Sequence, residues 1–376
     1  MDVSTAKVIC IPDSFKGSIS SHEACEAMAR GLKKAGLNDK NIIRIPIADG
    51  GEGTVEVFLA ATEGGERVYA DVTDSFGEKK TVFFGWFPER KLAVIEMAAA
   101  TGLSERKDAR KATSYGTGQV IKAALDMGAE SIVMGIGGTS STDCGIGAAA
   151  ALGARFFDGE GRDIPLCGEG LQSLEKIDLS GMDERVAGCK FTVLCDVTNP
   201  LYGEKGAAYV YAPQKGASEE DVRFLDGGLR NFARVAEKCF GRDISDLQGG
   251  GAAGGMGGGS TLFFSAELRS GLAALLEISA FEEKAEGASL ILTGEGRFDS
   301  QSVCGKVFDG ISARSKGVPV GILCGKAEIT ADQIGGVAFI EQIAPEGTAP
   351  EVSIREAAKF LEQAAEKYAG GFLERA

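Results

Sequence analysis

Acids, cations and hydroxyls gather in five short segments of this chain, most of them just after an apolar run. In Asp13-Ser14-Phe15-Lys16-Gly17-Ser18 an acid, hydroxyls and a cation share one turn. Turn geometry accounts for Asp13 and Gly17 but not for Lys16. Asp49-Gly50-Gly51-Glu52-Gly53 sets two carboxylates and three glycines at a helix entrance. That arrangement suits N-capping by Asp49 and Mg²⁺ binding equally well. Gly137-Gly138-Thr139-Ser140-Ser141-Thr142-Asp143 offers amides and four hydroxyls ahead of an alanine-rich helix, where an anion meets donors and a favourable dipole. A capping turn could use one or two of those hydroxyls, hardly all four. Asp196 and Asn199 stand before the turn fixed by Pro200, so Asp196 is a candidate general base or metal ligand. In Thr293-Gly294-Glu295-Gly296-Arg297-Phe298-Asp299, Arg297 could clamp a small carboxylate bidentately or pair with Glu295 or Asp299.

Residues 249–259 read GGGAAGGMGGG, eight glycines in eleven positions. Glycine inside a helix costs about 0.5–1 kcal/mol relative to alanine, so this density predicts a loop rather than regular structure or core. Bare amides of Gly254, Gly255, Gly257 and Gly258 turned toward one point would suit a phosphate. A flexible linker is the alternative, but the run leads directly into Leu262, Phe263 and Phe264, a junction that a linker does not need.

The single histidine, His22, lies in the first turn of an amphipathic helix. Histidine-based acid–base schemes and multi-histidine metal sites are thereby set aside, leaving carboxylates and lysines. Nine cysteines without a C-x-x-C pair suggest neither a disulfide framework nor a zinc site. A formal charge of -14 repels nucleic acid and anionic lipid, so no nucleic-acid partner is expected. No apolar stretch reaches the roughly 18 residues of a membrane span and the start is not a signal peptide, which points to the cytoplasm. Gly305-Lys306 and Gly325-Lys326 lack the remainder of a Walker A loop, and the G-x-G-x-x-G match at Gly249, Gly251 and Gly254 follows no apolar strand.

These segments need elements to position them. Lys7–Ile11, Ile42–Ile47, Ser131–Ile136, Phe191–Cys195, Ser289–Leu292, Val318–Cys324 and Val337–Ile340 read as strands. Helices start at the capping box Ser20/Glu23, at Ser218 and at a box Ser353/Glu356, and another covers residues 146–152. Strand–loop–helix alternation at both ends of the chain predicts a doubly wound parallel sheet. Extended segments between about residues 68 and 90, turning at Asp74-Ser75-Phe76-Gly77, predict antiparallel pairing and a second domain. At 376 residues two domains are the expectation. We place a discontinuous α/β domain at residues 1–67 and 287–376 and an inserted α/β domain, with mixed sheet and glycine-rich phosphate loop, at 68–286.

PDSFKGS (12–18), ADGGEGT (48–54), ATSYGTG (112–118), GIGGTSSTDCGIGAAAALG (135–153), CDVTNPLYGEKGAAYVYAPQKGA (195–217), GGGAAGGMGGG (249–259) and LTGEGRFDSQSVCGK (292–306), in this order, resemble the glycerate kinases of the bacterial two-domain type. The resemblance covers essentially the whole chain. It implies a flavodoxin-like domain interrupted by a second α/β domain, and ATP- and Mg²⁺-dependent phosphorylation of D-glycerate to 2-phosphoglycerate.

Under that resemblance the segments acquire roles. Phosphoryl transfer asks for position, positive charge and a proton acceptor. The glycine run and Gly137, Gly138, Thr139, Ser140 and Ser141 would hold ATP phosphates while Lys16 neutralises developing charge. Asp196 is the first choice of base and Asp299 the second. Asp49 and Glu52 would hold Mg²⁺, directly or through water. Ser14, Asn199, Glu295 and Arg297 would meet the substrate, Arg297 at its carboxylate. With both domains contributing, cleft closure is expected to exclude water, and the chain is expected to work as a monomer or homodimer. An oxidoreductase using the glycine run for a dinucleotide, and a non-catalytic sugar-acid sensor, are the rival classes.

Overall fold

The structure is a computed structural model that describes residues 3–15, 17–47, 50–51, 53–299, 302 and 306–375. Its strands, in chain order, are β1 (Val8–Cys10), β2 (Ile42–Arg44), β3 (Glu66–Thr73), β4 (Lys79–Phe87), β5 (Leu92–Glu96), β6 (Ser131–Gly135), β7 (Arg155–Phe157), β8 (Lys176–Asp178), β9 (Lys190–Leu194), β10 (Glu267–Arg269), β11 (Leu290–Phe298), β12 (Val320–Ala327) and β13 (Val337–Gln342). The chain folds as two compact units. One comprises Met1–Ala48, Ala60–Glu63 and Leu272–Ala376, and the other Asp49–Leu59 and Gly64–Gly271.

The first unit is a five-stranded sheet in the order β13-β12-β11-β1-β2, every neighbouring pair parallel. Val8, Ile9 and Cys10 are fully buried, as a central strand covered on both faces must be. The strand order reverses between β1 and β11, which makes this a flavodoxin-like doubly wound sheet with its topological switch there. Ile11 and Asp13 donate from their amides to the Leu292 and Gly294 carbonyls, so the chain leaving β1 continues along β11. Helix Ser21–Lys34 carries the Ser20/Glu23 capping box in both directions and buries Ala24, Ala27, Met28 and Leu32. It packs against helix Ala357–Ala364 so closely that a Cβ on Gly31 would stand 2.1 Å from the Glu362 carbonyl oxygen.

One capping expectation fails. Ser353 lies inside helix Pro350–Arg355 and Glu356 precedes Ala357–Ala364, so no Ser353/Glu356 box opens the last helices. Pro350, pre-set for the first helical turn, starts the helix instead.

The inserted unit is α/β as well. Its six-stranded sheet runs β10-β9-β6-β5-β4-β3. β5, β6, β9 and β10 are parallel, whereas β3 and β4 form the expected antiparallel pair and β4 joins β5 antiparallel. The Asp74 carboxylate closes the hairpin by accepting from the Phe76 and Glu78 amides at 2.8 and 2.9 Å. Helices Tyr115–Asp126, Ile146–Ala151 and Glu219–Phe240 belong to this unit, the last opened by a Ser218/Asp221 capping box.

The glycine run departs from the sequence expectation. Residues Met256–Phe263 are an α-helix with every residue buried, preceded by a tight turn in which Ala253, Gly254 and Gly255 have positive φ. The glycines serve close backbone packing. A Cβ on Gly251 would lie 2.1 Å from the Pro200 carbonyl oxygen, one on Gly254 2.2 Å from that of Ser141, and one on Gly259 1.8 Å from that of Cys144. Tertiary burial here outweighs glycine's low helix propensity.

Candidate functional site

Each unit carries a crevice at the carboxyl ends of its parallel strands. In the first unit it lies at the switch point and encloses about 990 Å³. Asp13, Ser14, Glu295, Arg297 and Asp299 line it, together with the 342–350 segment beyond β13. Asp13 is held at the start of its turn, its carboxylate accepting the Ser14 amide at 2.6 Å. Arg297 donates to both carboxylate oxygens of Glu328 at 2.9 and 3.0 Å and approaches Asp299 at 3.3 Å. It therefore pairs with acids, one of them anticipated from the sequence. The Glu328 carboxyl is held below its usual range by hydrogen bonds from Lys326 and Arg297.

The inserted unit's cavity is smaller, about 280 Å³. Gly137, Gly138 and Thr139 after β6, Cys195, Asp196 and Val197 after β9, Tyr211, Gln214, Lys215, Ala252, Ala253 and Gly51 contribute to its wall. Strand sequence explains why the polar loops meet. β6 and β9 are adjacent, parallel and in register from Ser131↔Lys190 to Gly135↔Leu194, so their C-terminal loops emerge side by side. The Asp196 carboxylate accepts the Gly271 amide at 3.2 Å.

The Gly137–Asp143 loop is only partly turned to the cavity. The Gly137 amide donates to the Gly50 carbonyl, and a Cβ there would strike Gly51 at 2.7 Å. The Ser140 hydroxyl is shared with Ser75 and with the Thr101 carbonyl, and Ser141 is fully buried. Asp143, also fully buried, accepts from the Ser114 amide, the Ser114 hydroxyl and the Gly145 amide. Burial pushes its carboxyl up against those hydrogen bonds. The Thr142 hydroxyl is buried without a hydrogen-bond partner. Of the glycine run, Ala252 and Ala253 reach the wall, whereas Gly254, Gly255, Gly257 and Gly258 lie buried behind it. Asn199 is not on the wall. Its side chain donates to the Lys205 carbonyl and accepts from Tyr211.

Lys16, Asp49 and Glu52 lie outside the described residues. Among the described residues no cluster of three or more potential ligands is arranged for a metal ion. The amides at the entrance of helix Thr54–Ala61, Gly53 and Val55, are capped by the Glu96 carboxylate.

Sequence reasoning passed over Lys215. It ends the short 3₁₀ turn Pro213–Lys215, is 2% exposed, and donates from Nζ to the Ser141 carbonyl. Burial pushes its pKa down to about 7, with the Asp143 charge acting in the opposite sense. Its type, followed by glycine in a turn, looks like any surface lysine in the sequence. Only the fold shows it buried.

Doubly wound architecture with polar crevices at the strand ends of both units defines an α/β enzyme acting on small polar ligands. The chain belongs to the glycerate kinase family, whose sequence profile matches residues 8–372. It is 44% identical to the glycerate 2-kinase of Escherichia coli K12 over 82% of each chain, and 40% identical to the glycerate kinase of Bacillus subtilis 168 over 96% of each. It is also similar to the crystal structure of a Salmonella typhimurium LT2 protein assigned as glycerate kinase 2, with a TM-score of 0.84, 38% identity and 98% of both chains covered. The chain is accordingly a phosphotransferase with an alcohol group as acceptor. No helix among the described residues is long and apolar enough to cross a membrane.

Proposed function

We propose that this phosphotransferase moves the γ-phosphoryl group of ATP, supplied with Mg²⁺, to the 2-hydroxyl of D-glycerate, giving 2-phospho-D-glycerate, and that it works in the cytoplasm as a monomer or homodimer. The observation that carries the reading is the meeting of Asp196 with the Gly137–Thr139 loop on one cavity wall in a chain of this family. Regiochemistry follows the glycerate 2-kinase relative.

Within this reading Asp196 accepts the proton of the substrate hydroxyl. Gly138 and Thr139 bound the phosphoryl group, with Gly137, Ser140, Ser141, Gly254, Gly255, Gly257 and Gly258 holding that wall from behind. Lys16 adds positive charge. Ser14, Glu295 and Arg297 line the first unit's crevice for substrate, Asp299 stands as reserve base, and Asn199 fixes the turn after Asp196. Arg297 reaches a carboxylate only by exchanging Glu328 or Asp299 for it, a trade between acids of like charge. Mg²⁺ uses one or two carboxylates plus water and phosphate oxygens, and when bound it neutralises phosphate charge. Asp49 and Glu52 suit that demand, because Glu96 already supplies the capping carboxylate at the neighbouring helix entrance.

The test is ADP release with Mg²⁺ across glycerate and related hydroxy acids, followed by ³¹P NMR of the product. Turnover on D-glycerate with a doublet, from coupling to the single C2 proton, is expected. No ADP with glycerate, or a triplet from the C3 methylene, overturns the assignment.

A further inference from the structure

We propose that Lys215 is a catalytic residue, the cation that receives the transferring phosphoryl group beside Asp196. Lys215 lines the same cavity as Asp196, Gly138 and Thr139, is 2% exposed, and has no ion-pair partner among the described residues. The inference rests on the phosphotransfer reading above and deepens it.

A buried ammonium loses its hydration and is retained at a cost unless an opposite charge compensates it. Among the described residues no carboxylate pairs with it. Asp143, the acid whose charge acts on it, spends its oxygens on Ser114 and Gly145. Among the described residues the hydrogen bond from Nζ goes to the neutral Ser141 carbonyl. For holding that carbonyl alone a neutral donor would serve, without a charge to desolvate. An entering phosphate supplies a counter-charge, and a preorganised cation held out of bulk water stabilises the transition state more than one in bulk water. Most donors of the adjacent loop are already engaged, the Gly137 amide by Gly50 and the Ser140 hydroxyl by Ser75 and Thr101. Among the described residues lining this cavity, Lys215 is the cation that can meet the ligand.

In the step itself the glycerate oxygen forms a bond to the γ-phosphorus. The bond from that phosphorus to the β–γ bridging oxygen breaks, its electron pair leaving with ADP. The hydroxyl proton passes to the Asp196 carboxylate. Lys215 keeps its protons throughout and supplies charge.

Burial holds the Lys215 pKa near 7 in the resting protein. An anion on Nζ must raise it, so ATP binding takes up a proton at a pH above that value. The other titratable groups lining this cavity are Asp196, Cys195 and Tyr211, and the buried Asp143 acts on Lys215 from outside the wall. The comparison with Lys215→Met separates any proton these groups take up from the one taken up by Lys215.

The experiment is calorimetry of ATP·Mg²⁺ binding at pH 8 in buffers of different ionisation enthalpy, without glycerate, on the full chain and on Lys215→Met, paired with steady-state kinetics from pH 6 to 9. Expected are uptake of close to one proton, roughly 0.9 if the resting pKa is 7, by the native protein and none by the variant. The variant should also lose about 10²–10³-fold in kcat, the usual loss for one preorganised oxyanion donor. Native kcat/KM for ATP should fall as pH rises above about 7, and Lys215→Arg should abolish that limb while retaining part of the activity. Equal proton uptake in native and Lys215→Met proteins, or a kcat within threefold of native, overturns the role of Lys215. Absence of turnover on glycerate in the native protein, with Lys215-dependent uptake preserved, overturns the acceptor assignment instead.

Discussion

The Asp143 carboxylate accepts the backbone amide and the hydroxyl of Ser114, each at 2.8 Å, and the same hydroxyl accepts the Ala148 amide at 2.9 Å. Two side chains thus tie the loop after β6 to the start of helix Tyr115–Asp126 and to helix Ile146–Ala151, all within the inserted unit. Replacing Ser114 by Ala leaves a buried carboxylate short of a donor and a buried amide short of an acceptor. Each such loss costs about 1–3 kcal/mol. Urea unfolding of Ser114→Ala should show destabilisation of that order, and a shift below about 0.5 kcal/mol would mean the network is dispensable.

Asp196→Asn keeps size and most hydrogen bonding while removing the proton acceptor. If Asp196 is the general base, kcat falls by about 10²-fold or more, with KM values little changed. An undiminished kcat would transfer attention to Asp299.

The glycine run offers a direct test of packing against loop. Alanine in place of glycine inside a helix ordinarily stabilises by about 1 kcal/mol. Gly259 sits in a helix, yet its added Cβ would lie 1.8 Å from the Cys144 carbonyl oxygen, a clash with backbone that cannot rotate away. Gly259→Ala should therefore destabilise, by roughly 1–3 kcal/mol or more. Gly188→Ala, whose Cβ meets nothing within 4 Å, is the control and should be near neutral. A stabilised Gly259→Ala would show that the helix does not pack as described.

That run also marks where sequence stops being informative. Composition reports that backbone must be bare but not what approaches it, and a neighbouring carbonyl makes the same demand as a phosphate. The alternation of β1, β11 and β12 with helices was legible because parallel strands buried on both faces need continuous apolar runs. The β3–β4 pair was legible from the Asp74–Gly77 turn. Asp196 could be singled out because a carboxylate at the end of an apolar strand stands out locally. Lys215 could not. Its significance comes from burial against residues more than 70 positions away, as its bond to the Ser141 carbonyl shows. Ser353 and Glu356 had the spacing of a cap, but Pro350 set the helix start four residues earlier.

Arg297 poses a competition between carboxylates. Its guanidinium is taken up by Glu328 and Asp299 in the structure, and lysine cannot reproduce a bidentate grip. If Arg297 also holds glycerate, Arg297→Lys should raise the KM for glycerate about tenfold while leaving the KM for ATP alone, and Glu328→Gln should lower it. Unchanged glycerate KM in both variants would confine Arg297 to surface pairing, which contributes about 1 kcal/mol or less to stability.

Lys215 should also leave a signature in stability. Its ordinary pKa of 10.5 falls to about 7 on folding, because burial disfavours the charged form. Below about pH 7 both states are protonated and the folded chain bears the full cost of the buried charge. Between about pH 7 and 10.5 the unfolded chain holds a proton that the folded chain has released, so this group makes stability rise with pH, by up to ~1.4 kcal/mol per unit. Above that range the cost has vanished. Lys215→Met removes the titrating group, so the variant should be more stable than the native protein at pH 6 and lose that advantage steadily toward pH 10. The lost hydrogen bond to Ser141 shifts the whole difference by a constant and leaves its slope intact. Denaturant melts at pH 6, 7, 8, 9 and 10 measure that slope. Parallel curves for the two proteins would show that the lysine reaches water or a counter-ion in solution, and the buried charge would be refuted.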